Sequence, residues 1–225
     1  MGKAIGDILP MAIGVAISPI PIIAIILMLG TPRARVNGPA FAAGWVAGLA
    51  IVGAAVLVLA GGSASQGSGA PATWTSVLKL AFGLLFLALA ARMWRSRPKA
   101  GEQAAMPTWM GAIDGFGAGK ALGMGALLSG VNPKNLALTV AAATAIAQTG
   151  ISGSQEGVAL VVFIVLASLT ILVPVAIYFV MGAKAKEILD GLKVFMAAHN
   201  AAIMTVLFLV LGAKMIGDAI GGFST

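Results

Sequence analysis

The chain has 225 residues, of which 60% are hydrophobic and 9% charged, with a net charge of +7 and no cysteine; its mean hydropathy is +1.03. Soluble domains carry about a quarter charged residues, so this composition excludes a soluble globular fold, and its hydrophobicity excludes disorder. Thirty glycines without a Gly-X-Y period exclude collagen. The missing cysteines remove disulfides, thiolate metal sites and cysteine nucleophiles together. The composition is that of an integral membrane protein.

Six apolar runs follow one another: residues 5–30, 40–61, 77–94, a longer and interrupted 122–149, 158–182 and 201–220. Each is close to the ~20 residues a helix needs to cross ~30 Å of hydrocarbon. None has the alternating pattern of barrel strands, and a helix satisfies its own backbone in lipid. An all-α protein with six transmembrane helices is expected. Arg33 and Arg35 fall in the first loop, Arg92, Arg95, Arg97 and Lys99 at or after the end of the third helix, and Lys184, Lys186 and Lys193 between the last two. With Lys120 these are ten of the fourteen basic residues, whereas loops 61–75 and 150–157 have none. The positive-inside rule then puts the basic loops in the cytoplasm and both termini outside the cytoplasmic membrane. The basic residues form no stripe, so nucleic acid is not an expected partner. No cleavable leader is evident, and the first helix is expected to be retained.

Two stretches read differently. Residues 96–108 are polar with two prolines, a natural linker between halves; the expected organisation is a three-helix repeat over 1–95, a cytoplasmic linker over 96–112 and a second repeat over 113–225. Residues 185–198 place Ile188, Leu189, Leu192, Phe195 and Met196 on one helical face with lysines elsewhere. That suits a helix lying on anionic lipid, or a continuation of the fifth helix.

The repeat shows in Gly83-Leu-Leu-Phe-Leu-Ala-Leu-Ala-Ala-Arg-Met-Trp94, which aligns with Thr205-Val-Leu-Phe-Leu-Val-Leu-Gly-Ala-Lys-Met-Ile216 at six identities in twelve. Upstream of each lies a proline motif inside an apolar run, Ser18-Pro19-Ile20-Pro21 and Asn132-Pro133-Lys134-Asn135, at similar spacing. Units of three helices must be inverted relative to each other, and inverted repeats with interrupted first helices are a transporter signature. Ser and Asn are good N-caps and Pro a favoured first helical residue, so each motif reads as the start of a half-helix within the membrane. The prolines free carbonyls near Val15 and Ser129. Converging half-helix N-termini, joined by Lys134, would favour an anionic group. A lysine there costs roughly 2.5–3.5 kcal/mol on insertion scales, which a mere kink does not require. Two ordinary proline kinks without a ligand are the simpler alternative.

Gly44/Gly48, Gly115/Gly119/Gly123 and Gly217/Gly221 form small-xxx-small faces for sliding or static helix contact, or for a homodimer. Ser168, Thr170 and Pro174 read as packing positions. Asp114 and Lys120 flank the cytoplasmic entry of the fourth helix as gating candidates or interfacial anchors. Asp7, Lys214 and Asp218 read as solvated charges near the outer ends. Catalytic chemistry is missing from the pattern: His199 has no acidic cluster beside it, and Gly115-Phe-Gly-Ala-Gly-Lys120 lacks the Ser or Thr of a phosphate loop. No His, Asp or Cys cluster suits a metal. No enzyme activity, cofactor or metal is expected.

The stretch from Ala16 to Arg35, Phe41-Ala-Ala-Gly-Trp-Val-Ala-Gly48 and Val131-Asn-Pro-Lys-Asn135 together resemble the mycobacterial glycolipid-addressing (GAP) family of the lysine-exporter superfamily. The resemblance runs through nearly the whole chain. It implies a role in moving glycolipids, such as sulfolipid or glycopeptidolipid, toward the cell surface, while superfamily relatives export amino acids or metal ions. The expectation is therefore an exporter or flippase of an anionic lipid or glycolipid. Ser18, Pro19, Pro21, Asn132, Pro133, Lys134 and Asn135 would line its central site, with Lys134 pairing a phosphate, sulfate or carboxylate. The alternatives are a proton-coupled exporter of small solutes such as amino acids, and a non-transporting accessory subunit of a larger lipid-export machinery.

Overall fold

The computed structural model describes residues 1–64, 72–97 and 108–223, and these are helical, with no strand among them. The helices are α1 (Gly2–Ala16), α2 (Pro19–Leu29), α3 (Ala34–Ala64), α4 (Ala72–Arg95), α5 (Ala118–Ala126), α6 (Pro133–Ala147), α7 (Gly153–Met181) and α8 (Ala183–Phe223). A 3-10 segment, Thr108–Gly115, precedes α5, and a π-turn, Leu127–Val131, joins α5 to the break before α6. Most of the linker expected over 96–112, Lys99 included, and much of the loop 61–75 lie outside the described residues.

Among the described residues three helical stretches are long and apolar enough to cross a membrane: 34–60 of α3, α7, and 184–223 of α8. A fourth span results if α1 and α2, bent by 54° at their junction, count as one. This is fewer than the six expected. The run 122–149 is cut by the π-turn and Asn132 into helices of 9 and 15 residues, each shorter than a span. The run 77–94 lies within the 24-residue α4, and the stretch of it that is fully described is shorter than a span. Apolar side chains such as Ile51 (69%), Val58 (74%) and Val180 (83%) are largely exposed. Water would not tolerate that surface, and hydrocarbon is its natural solvent.

The amphipathic stretch 185–198 is helical, but it does not continue the fifth helix. Gly182, at φ 54°, ends α7, and the stretch runs without a break into the last helix as part of the 41-residue α8. A glycine is needed there because that backbone conformation strains any side chain with a β-carbon. At ~1.5 Å per residue α8 is roughly 60 Å long, about twice the hydrocarbon thickness, so part of it must lie outside.

The chain divides into two compact units, residues 1–60 with 105–197, and residues 61–104 with 198–225, each drawing on both sequence halves. In the first unit α1 packs on α6 and α7, and α2 on α7. Its core holds Ile8, Val15, Phe41, Trp45, Leu138, Phe163 and Ile171, all fully or nearly fully buried. In the second, α4 and the C-terminal part of α8 approach through glycines: a β-carbon on Gly83 would strike Ile216 and the Gly212 carbonyl, and one on Gly212 would strike Leu87 and the Gly83 carbonyl. Phe86 and Phe208 stack with ring centroids 5.6 Å apart.

Candidate functional site at the helix breaks

The first break is built as its sequence dictates. Helix α1 ends at Ala16, Ser18 takes extended backbone angles as N-cap of α2, and Pro19 is the first residue of α2. The carbonyls left at the end of α1 are then satisfied one by one. Ser18 Oγ donates to the Val15 carbonyl at 2.6 Å, and Thr170 Oγ1 on α7 donates to the Ala16 carbonyl at 2.6 Å. Lys134 Nζ donates to the carbonyls of Gly14 at 2.7 Å and Ile17 at 3.0 Å, and to Ser18 Oγ at 2.7 Å. The last four carbonyls of a helix lack partners within it, and leaving any of them bare in an apolar interior is costly.

The second break supplies the lysine. Asn132 caps α6 by accepting from the Lys134 amide at 3.1 Å, and Pro133 opens the helix. Asn135, fully buried, donates through Nδ2 to the Leu128 carbonyl in the π-turn at 2.9 Å and accepts from Ser18 Oγ at 3.2 Å. Lys134 stands in the first turn of α6, where its charge opposes that helix's own dipole; its ammonium reaches instead to the negative C-terminal end of α1. Among the described residues the ion pairs join Lys186 and Lys193 to Asp190, and Lys214 to Asp218; Lys134 is in none of them.

Of the residues singled out by sequence, Ser18, Lys134, Asn135 and, through the cap, Asn132 meet in one cluster. Pro19 and Pro133 open the two helices, and buried Pro21 lies one residue further into α2. Asp114 in the 3-10 segment and Lys120 in the first turn of α5 are exposed and take no part in the cluster. Thr170, expected as a polar packing position, joins α7 to α1 by closing the break; its hydroxyl within the apolar part of α7 is the available signal. Ser168, fully buried two residues earlier, leaves its hydroxyl without a partner.

Beside the cluster lies an apolar groove of about 220 Å³, lined by Ile22, Leu169, Val173, Pro174, Leu192 and Met196. Thr170 belongs to both, lining the groove and donating to Ala16. A polar break in the backbone, sealed by side chains and flanked by an apolar groove, within helices whose outer faces are hydrophobic, defines a helical membrane protein organised around a break between two helices. The model of the family described as "Sap, sulfolipid-1-addressing protein" matches residues 8–221, and the chain belongs to that family. The family's description points to a role in the transport or localisation of lipid. No curated protein and no solved structure matches the chain.

Proposed function

We propose that the chain is a secondary-type transporter that exports or flips an anionic lipid or glycolipid across the cytoplasmic membrane, with no catalytic step of its own. The observation that carries this reading is the groove sharing Thr170 with the helix break. An amphiphile needs an apolar slot for its chain next to a polar, positively charged place for its head group. Ser18, Asn132, Lys134 and Asn135 form the polar end, and Lys134, once withdrawn from the α1 carbonyls that hold it here, would supply the charge that selects an anion. The family's name agrees with a sulfated glycolipid as cargo.

The six-span inverted repeat is part of the same proposal. Two contacts support it. Ser18 and Asn132 occupy matching places in the two repeats, and Ser18 touches the residues just after Asn132. Phe86 and Phe208, the fourth residues of the aligned segments, stack on each other. Elements related by a two-fold axis meet their own counterparts where that axis passes, and inverted repeats have such an axis in the membrane plane. In this arrangement both termini lie outside and the basic loops inside, as the distribution of Lys and Arg favours.

The test is transport in proteoliposomes containing only this protein, comparing a fluorescent anionic lipid with a panel of amino acids. Lipid movement that Lys134→Ala and Asn132→Ala abolish, while folded protein persists, is the expected result. Amino-acid flux would replace the lipid by a small solute. Silence toward both would make the chain an accessory of a larger export machinery.

A further inference from the structure

The atoms around Lys134 Nζ have the character of an ion site. Two backbone carbonyls, Gly14 and Ile17, and the Ser18 hydroxyl converge on it at 2.7–3.0 Å. The hydroxyl is itself polarised, since its Oγ stands 2.6 Å from the Val15 carbonyl and 3.2 Å from Asn135 Oδ1. All the ligating atoms are neutral oxygens, and the carbonyls belong to the negative end of α1. Carbonyls freed by a broken helix are what transporters use to strip and hold a monovalent cation, and rings of such oxygens replace an ion's hydration shell. An ammonium has three donors on the lysine nitrogen, and three acceptors meet them here.

We propose that the α1 break is a monovalent-cation site whose resident cation is the ammonium of Lys134, carried on the chain. The break thus needs no free ion to be stable, and any movement that withdraws Lys134 exposes a cage fit for ammonium or an alkali cation of similar size. The site follows from the geometry of the cage alone and holds whatever the cargo proves to be.

Thermal unfolding of the purified full chain in detergent, with choline as the only background cation, tests it. Lys134→Ala empties the cage and leaves room for a small ion. Its midpoint should fall below wild type and then climb with added ammonium or methylammonium, by about 5–10 °C at a hundredfold excess over the dissociation constant. Wild type should not respond, because its cage is filled. Lys134→Met removes the charge but keeps the bulk, and it should not respond either. Ser18→Ala combined with Lys134→Ala should weaken the response at least tenfold in concentration. An equal response in wild type and Lys134→Ala, or none in Lys134→Ala, overturns the proposal. If Lys134→Ala is not recovered folded in choline, extraction is repeated with ammonium present from lysis. Recovery only with ammonium supports the site, and aggregation in both overturns it. No lipid enters the assay, so its failure is distinct from a failure of the transport reading.

Discussion

Gly14, Val15, Ala16 and Ile17 present four consecutive carbonyls at the end of α1, and three side chains from three different segments take them up: Lys134, Ser18 and Thr170. The Thr170 bond is the simplest to isolate, because Thr→Val keeps the shape and removes only the donor. Ala16 is buried, so its carbonyl would lose a side-chain partner in an apolar setting, although the Ser18 amide also reaches it at 2.8 Å. Thr170→Val should therefore lower stability by about 1 kcal/mol, and Thr170→Ser should restore most of it, as read by thermal unfolding in detergent. A null result for Thr170→Val would mean that the Ser18 amide suffices. The contrast with Ser18 shows what a sequence discloses at this scale. Ser18 before Pro19 announces its cap and the break through local chemistry alone. Thr170 contacts a carbonyl more than a hundred residues away, and nothing in its neighbours along the chain points there. Lys134 is intermediate: its cost in lipid marks it as paired and the sequence favours an anion, whereas in the structure two backbone carbonyls and the Ser18 hydroxyl hold its three donors.

Helix contacts sort the glycines in a way that spacing does not. Gly44 and Gly48 of α3 face α5 and the π-turn so closely that a β-carbon would meet the Leu122 carbonyl from Gly44, and Ser129 Oγ and the Ala126 carbonyl from Gly48. Gly125 answers from α5, against the Phe41 carbonyl and the Trp45 amide. Gly115, Gly119 and Gly123, and likewise Gly217 and Gly221, have nothing within 4 Å of such a carbon. Gly125→Ala should therefore cost about 1–3 kcal/mol by forcing α3 and α5 apart. Gly123→Ala, two residues earlier on the same helix, should be neutral or stabilising by up to about 1 kcal/mol through helix propensity. Thermal midpoints of the pair give the answer, and equal losses would mean that the α3–α5 approach is looser than described. The i, i+4 spacing correctly marked Gly44 and Gly48 because both neighbours of that motif fall on one face of a long helix. Within the chain it marks no contact at Gly119 and Gly123, because α5 is only nine residues long and turns a different face, that of Gly125, to α3. The same limit explains α8: lysines and apolar residues at 185–198 fit a surface helix, yet no proline interrupts the chain from there to the final span, so one helix continues through both.

At the scale of the molecule, whether α5 and α6 together cross the membrane decides between six spans and fewer. Each is too short to cross alone, but with the π-turn between them they cover residues 118–147. A crossing segment puts Lys120, at its start, and Ser154, just past its end, on opposite sides; a re-entrant loop returns them to the same side. Lys186 adds a reference, because α7 has 29 residues, or roughly 43 Å, enough to cross once between Ser154 and Lys186. The chain has no cysteine, so Lys120→Cys, Ser154→Cys and Lys186→Cys each introduce a single thiol. Ser154 and Lys186 are exposed, as is Lys120. With a membrane-impermeant maleimide on intact cells, Ser154→Cys should label, whereas Lys120→Cys and Lys186→Cys should label only after permeabilisation. Labelling of Lys120→Cys and Ser154→Cys from the same side would make the second break the tip of a re-entrant loop. The repeat would then not be inverted, and the contacts of Ser18 with Lys134 and Asn135 would be a hinge between unlike elements instead of a pair related by symmetry. Opposite sides would place both breaks inside spans of opposite direction, the arrangement in which Lys134 can hold the end of α1 shut from the start of α6 and release it when the two repeats rock apart.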